Sequence, residues 1–156
     1  MALPLHSALV SLAPLVGRWR GEGRGDYPTI DAFEYREEVA YTHVGKPFLA
    51  YTQRTWKLPD GAPLHSESGY LRATGEGAVE LVLAHPSGVV EVSTGRVHDG
   101  DVEVASIQVL GTPTAKSVET VRRSLHVDGD VLRYRVDMAA VGQPLGFHLE
   151  AELHRA

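Results

Sequence analysis

The chain of 156 residues contains no cysteine. This absence excludes disulfide bonds, thiolate metal sites, iron–sulfur clusters and a cysteine nucleophile. Basic residues are also few, since 15 lysines and arginines stand against 20 acidic residues and form no basic patch. The chain is therefore not expected to bind nucleic acid.

Long apolar runs are missing as well, because none approaches the roughly 20 residues that a membrane-spanning helix needs. The apolar stretch at residues 1–21 has its basic residues after the run and lacks the charged segment that opens a signal peptide. We therefore expect a cytoplasmic protein that does not enter a membrane. A length close to roughly 150 residues predicts one domain, spanning residues 1–156.

Common catalytic motifs do not occur, and the chain has no GxSxG, HExxH or Walker sequence. The glycines of GEGRGDY, residues 21–27, lack the third glycine of a dinucleotide fingerprint, and no helical pattern follows them. They are better explained as small residues that let a neighbouring backbone come close to a β-strand.

The pattern that is present is alternation of apolar and polar residues. VLRYRVDM, residues 131–138, places its apolar side chains on one face and its charged side chains on the other. Turn signals such as Asp60-Gly61, Asp99-Gly100 and Asp128-Gly129 separate segments of this kind. Ten strands are predicted near residues 17–24, 33–41, 47–57, 64–73, 78–84, 89–98, 101–110, 117–127, 131–138 and 145–154.

Only the first 16 residues carry a helical pattern, in which Ser7 is the predicted cap and Leu9, Val10 and Leu12 follow it. We therefore predict an all-β fold, a ten-stranded antiparallel up-and-down β-barrel with a short N-terminal helix. Closure is favoured because an open sheet of ten strands leaves two exposed edges. A two-sheet sandwich is the alternative. Barrels of this size hold one small ligand.

The sequence also predicts the surroundings of three sets of polar residues. Glu37 falls on the otherwise apolar face of residues 33–41 and needs a partner, for which Arg54 and Arg122 are candidates. The alternating row at residues 148, 150, 152 and 154 is about 20 Å long, too long for one metal ion, and is typical of a solvated strand face. Surface or turn positions are expected for six histidines: His6, His43, His85, His98, His126 and His154.

The segment GRWRGEGRGDYPTI, residues 17–30, resembles the signature GxWxGxGxGxYPTI of the nitrobindin family. Three further segments resemble the same family in order: HVGKPFLAYTQRTW (43–56), PLHSESGYLR (63–72) and VGQPLGFHLEAELHR (141–155). The resemblance implies a barrel similar to fatty-acid-binding proteins that holds one b-type haem through a single histidine on the last strand. It also implies binding of nitric oxide and isomerisation of peroxynitrite to nitrate.

Carried over residue by residue, the resemblance makes His148 the axial iron ligand and His65 a pocket histidine on the other side of the haem. Thr29 falls beside the haem, and Lys116 matches a lysine that pairs with a haem propionate. His148 and His65 are the expected catalytic residues. We also expect a homodimer formed through an exposed sheet face.

Two other functions remain open at this stage. The same barrel suits a lipocalin-like carrier of a small apolar ligand without haem. A barrel filled by its own side chains would instead be an interaction module. A cavity, and a histidine that reaches into it, would favour the haem protein over both.

Overall fold

In the computed structural model, which describes all 156 residues, the chain folds into one closed antiparallel β-barrel. Each strand pairs with the next, and β1 pairs with β10 from Trp19↔Arg155 to Gly25↔Leu149. This last pairing closes the barrel, so the barrel prediction is confirmed and the sandwich is wrong. The strands are β1 (Gly17–Tyr27), β2 (Ile30–Thr42), β3 (Phe48–Lys57), β4 (Pro63–Gly75), β5 (Ala78–Ala84), β6 (Val89–His98), β7 (Asp101–Gly111), β8 (Val118–Asp128), β9 (Val131–Ala140) and β10 (Gly146–Arg155).

A 3-10 helix, Ser7–Leu15, precedes the strands and covers one end of the barrel. Residues three apart share a face in such a helix, and Leu9, Leu12 and Leu15 are accordingly buried. The predicted cap at Ser7 is wrong, because His6 Nδ1 accepts the hydrogen bond from the Ala8 amide at 3.1 Å. The expectation for Val10 is also wrong, since this side chain is exposed. At nine residues, the helix does not have the length and apolarity of a membrane span.

Trp19 fixes the helix to the barrel. The indole is fully buried, and its Nε1 donates a 2.8 Å hydrogen bond to the Leu15 carbonyl at the last turn of the helix. The guanidinium of Arg155, from the final strand, lies 4.2 Å from the centre of the indole ring. Helix, first strand and last strand therefore meet at this end, which is sealed, while the loops at the other end surround an opening.

The glycines of β1 allow close contacts inside the barrel. A Cβ added at Gly21 would lie 2.1 Å from the Glu152 carbonyl oxygen, and one added at Gly25 would lie 2.2 Å from the Phe33 ring. Both distances are far below van der Waals contact. The sequence-based explanation of these glycines as sites of close backbone approach is therefore confirmed.

Gly21→Ala is expected to destabilise the protein by about 2–3 kcal/mol, because the new methyl group overlaps backbone rather than a flexible side chain. Urea unfolding of the two proteins would measure the difference. Gly146→Ala is the matched control, since a Cβ there has its nearest neighbour at 3.8 Å. Equal losses in the two variants would contradict the steric explanation.

Candidate functional site

The open end of the barrel leads into a cavity of about 650 Å³. Of the 33 residues that line it, 22 are hydrophobic, so its wall is mostly apolar. The volume lies within the roughly 300–1,000 Å³ of small-molecule and cofactor pockets. The barrel is therefore not filled by its own side chains, and the interaction-module alternative is wrong.

His148 reaches this cavity because of an irregularity in β10. The pairing of β10 with β9 shifts register between Phe147 and Leu149, as a β-bulge does. His148 and Leu149 consequently both line the cavity although they are neighbours in sequence. The rest of the polar row stays outside, where Glu150 pairs with Arg24 and Glu152 with Arg133.

The ring of His148 is held by two contacts. It packs edge-on against Tyr27 with ring centres 5.4 Å apart, and its Nδ1 lies 3.4 Å from the Asp26 carbonyl oxygen. The second contact favours the tautomer with its proton on Nδ1, while Nε2 has no hydrogen-bond partner within the protein. Burial lowers the pKa of His148, so its imidazole is neutral at pH 7 and carries a free lone pair.

His65 also lines the cavity, from β4, and it lies against a second histidine. His65 Nε2 is 3.2 Å from His85 Nδ1, and the two rings stack with centres 5.3 Å apart. His85 was expected at the surface or in a turn, and it begins the turn between β5 and β6, although its side chain is only 10% exposed. It follows β5, and it continues the inward alternation of Leu81 and Leu83 beyond the end of the strand.

Thr29 and Lys116 lie outside the cavity wall. Thr29 is exposed in the turn between β1 and β2, one residue before Ile30, which does line the cavity. Lys116 is exposed in the loop between β7 and β8, two residues before the lining residue Val118. In an up-and-down barrel both loops fall at the open end, so the structure places Thr29 and Lys116 around the mouth and the two histidines within it.

A buried charged cluster that the sequence reasoning missed forms part of the cavity wall. Arg123 Nη1 lies 3.1 Å from Glu67 Oε1, and its Nη2 lies 2.8 Å from Glu91 Oε2. Burial raises the pKa of both carboxyl groups, but the Arg123 guanidinium and the hydrogen bonds from neighbouring side chains together outweigh burial and lower it, so both remain charged. Each of the three residues occupies an inward position of its strand, so the alternation that identified Glu37 would have identified them too.

Glu37 is fully buried, as expected, but its predicted partners are wrong. Its Oε2 accepts hydrogen bonds from Gln53 Nε2 at 2.8 Å and from the Tyr134 hydroxyl at 2.6 Å. Arg54 and Arg122 are exposed, because each is one residue away from the inward-facing position of its strand. Burial raises the pKa of Glu37 to about 8.

Glu37→Gln is expected to change how stability depends on pH in the haem-free protein. The folded-state pKa of Glu37, about 8, exceeds its usual value of 4.5, so its contribution to stability is complete below pH 4.5 and is lost as the pH rises toward 8. Because the variant lacks this loss, its free energy of unfolding should rise by about 2–4 kcal/mol relative to that of the wild type between pH 5 and pH 8. Urea unfolding at several pH values measures it.

Glu38→Gln is the control for this prediction, because Glu38 is an exposed neighbour that pairs with Arg20 at the surface. Its unfolding free energy should follow the wild type at every pH. Parallel curves for the Glu37 variant and the wild type would show that Glu37 is charged in the folded protein.

The donor set of the cavity fits a haem. A neutral imidazole with a free nitrogen is a normal axial ligand of haem iron, and an apolar wall suits the porphyrin face. The cavity volume is that of a cofactor pocket. His148 would hold the iron, and Thr29 and Lys116 are polar residues exposed at the mouth of the cavity.

A closed barrel with one open end, an apolar cavity and one free imidazole nitrogen defines a ligand-binding β-barrel suited to a cofactor. Residues 8–155 match a family described as "THAP4-like, heme-binding beta-barrel domain". The chain belongs to this family, which confirms the nitrobindin resemblance of its sequence signature.

Curated relatives match the chain along its whole length. Peroxynitrite isomerase 2 of Mycobacterium marinum is 52% identical over 159 aligned positions, which cover 99% of each chain. Peroxynitrite isomerase 1 of Mycobacterium tuberculosis strain H37Rv is 52% identical over 162 positions, with the same coverage. The crystal structure of Rv2717c from M. tuberculosis superposes with a TM-score of 0.92 at 52% identity, covering 98% of this chain and 99% of that one.

Proposed function

We propose that this protein binds one b-type haem through His148 and isomerises peroxynitrite to nitrate. The observation that carries the proposal is the bulge in β10, which brings an imidazole with a free nitrogen into an apolar cavity. Membership of a haem-binding barrel family and full-length relatives named peroxynitrite isomerase support it.

When bound, ferric haem supplies a Lewis-acidic iron with a coordination position free for a small ligand. The protein's own contribution is to hold, orient and shield. His148 binds the iron, and the Asp26 carbonyl keeps its ring in one orientation and tautomer. The apolar wall excludes water from the reacting anion.

Peroxynitrite and nitrate contain the same atoms and the same electrons, so their interconversion needs no external oxidant or reductant. The cavity therefore has to position one anion and confine it while an oxygen atom moves. We propose that His65, which lines the cavity and is partly exposed, donates an N–H to that anion. We propose that Thr29 and Lys116 contact the propionates at the mouth, since both are exposed in loops there.

Nitric oxide is proposed as a second ligand of the same iron position, because a small neutral diatomic needs only a vacant coordination site and an apolar wall. The carrier without haem is less favoured. A carrier needs only apolar lining, whereas this cavity also contains a free imidazole nitrogen.

The test is to titrate the haem-free protein with ferric haemin, and then to mix the product with peroxynitrite in a stopped-flow instrument. We expect a Soret band that saturates at one haem per chain, faster decay of peroxynitrite than with free haemin, and nitrate as the main product. Uptake of a lipid-sized molecule in native mass spectra, with no saturable haem band, would favour the carrier instead.

We also propose that the protein forms a homodimer through the outer face of β4–β7. Exposed apolar residues are paired across neighbouring strands on this face, with Tyr70 opposite Val82 and Val90 opposite Leu110. Sedimentation should give a dimer for the wild type and a monomer for Val82→Lys.

The cytoplasmic location stays a prediction, which fractionation of cells that contain the protein would test.

A further inference from the structure

We propose that His65, Glu67 and His85 form a binding site for a divalent cation of the zinc class in the cavity wall. The site is separate from the imidazole of His148 and does not depend on the binding of haem. All three residues line the cavity, and one possible ligand atom from each lies within 4.8 Å of the other two.

The three ligand atoms form a nearly regular triangle. His65 Nε2 and His85 Nδ1 are 3.2 Å apart, and Glu67 Oε2 lies 3.5 Å from the first and 3.3 Å from the second. Zinc bound tetrahedrally to histidine and carboxylate at its usual bond lengths separates its ligands by about 3.3–3.5 Å. The side chains are therefore already at the spacing of three corners of a zinc tetrahedron.

The hydrogen bond between His85 and Glu91 directs a lone pair of His85 into this triangle. His85 Nε2 contacts Glu91 Oε2, a carboxylate oxygen, so the proton of a neutral His85 belongs on Nε2. Its Nδ1 then carries a lone pair and faces Glu67 Oε2, a second acceptor, at 3.3 Å. In the metal-free protein, the Nε2–H of a neutral His65 can lie between these two acceptors, since His65 Nε2 is 3.2 Å from His85 Nδ1 and 3.5 Å from Glu67 Oε2. A metal ion bound at this position would replace that hydrogen atom and accept a lone pair from each of the three residues.

Neighbouring groups fix the proposed ligands in the right orientation. The Tyr51 hydroxyl donates to Glu67 Oε1 at 2.8 Å, and Arg123 Nη1 binds the same oxygen at 3.1 Å, which directs Oε2 toward the histidines. Glu91 orients His85 in the carboxylate–histidine arrangement that is common behind zinc ligands. The carboxylates of Glu67 and Glu91 and the guanidinium of Arg123 together carry a charge of −1. A bound dication would change this charge to +1, so the ion does not enter a region that is already positive.

The ligand set also indicates the class of ion. Two imidazoles and one carboxylate suit zinc and similar transition metals, whereas magnesium and calcium prefer sites made of oxygen alone. The fourth corner of the tetrahedron has no protein ligand, so it is available to water or to an anion in the cavity. Sites with three protein ligands and one exchangeable position are those at which zinc acts on bound molecules.

The test is calorimetric titration of the full-length, haem-free protein with zinc sulfate, after a chelator has removed any metal. We expect one zinc ion per chain. His85→Gln should weaken binding by at least about tenfold, since loss of an orienting residue alone costs 10–100-fold. His126→Gln is the matched control, because it removes a histidine that pairs with Asp101 at the surface. It should bind zinc like the wild type.

Cobalt(II) gives a second measurement, which is made on His85→Gln protein whose circular dichroism spectrum matches that of the wild type. The wild type and His126→Gln should show the intense visible absorption of tetrahedral cobalt, and His85→Gln should not. His148→Ala should lose haem and keep zinc, so failure of this site and failure of the haem site are distinguishable. Substoichiometric zinc, or equal zinc affinity in His85→Gln and the wild type, would overturn the proposal and leave hydrogen bonds alone between the three side chains.

Discussion

His148→Ala is expected to abolish specific haem binding, the largest effect of any single substitution in this protein. The substitution removes a neutral, oriented imidazole of the cavity whose Nε2 has no hydrogen-bond partner within the protein. Affinity for ferric haemin should fall by at least about 100-fold, the upper end of what loss of a mere orienting group costs at a metal. Absorbance titration with haemin measures it directly.

His154→Ala is the matched control for this experiment. His154 lies six positions further along β10 but is exposed, and its ring contacts Glu152 on the outside of the barrel. It should bind haem with the wild-type Soret band. His65→Ala should also keep an iron-coordinated haem, because the proposed iron ligand is His148. A Soret band that survives in His148→Ala and disappears in His65→Ala would reverse the assignment of the two histidines.

Arg123→Met is expected to destabilise the haem-free protein by about 3–5 kcal/mol, the usual cost of removing one partner from a buried ion pair. The substitution leaves Glu67 and Glu91, both almost completely buried, without the cation that keeps them charged. The two carboxyl groups then either take up protons or are hydrated by water that enters the interior, and both changes cost free energy. Chemical unfolding at pH 7 measures the loss.

Arg133→Met tests whether the loss of stability depends on the burial of the ion pair. Arg133 pairs with Glu152 across β9 and β10 on the outer surface, where about half of each side chain is exposed. Its loss should cost less than about 1 kcal/mol. Adding Glu67→Gln and Glu91→Gln to Arg123→Met should recover much of the stability, because no unpaired charge then remains inside. If the neutral triple variant is no more stable than Arg123→Met, packing of the Arg123 side chain is the cause instead.

Most of the barrel was predictable because its strands are amphipathic and its turns contain Gly and Asp. The segment at residues 131–138, for example, is β9 with Leu132 and Val136 buried, as its alternation indicates. The helix was less predictable. Its 3-10 geometry puts Leu15 on the face of Leu9 and Leu12 and turns Val10 outward, which an α-helical period does not anticipate.

The site was only partly predictable from the residues themselves. Alternation along β10 puts His148 outside, and the bulge that brings it inside depends on how β10 pairs with β9. This pairing depends on both strands, so the sequence of β10 alone does not predict the bulge. The partners of Glu37 were missed for a similar reason. Gln53 and Arg54 are neighbours on β3 and point to opposite faces, so an error of one residue in the pairing selects Arg54 outside the barrel instead of Gln53 inside it.

The helix and Trp19 close one end of the barrel, so the cavity opens to solvent at the other end. A molecule that enters the cavity therefore leaves by the same opening. In the proposed reaction, departing nitrate and arriving peroxynitrite would share this opening, so product and substrate would compete for it.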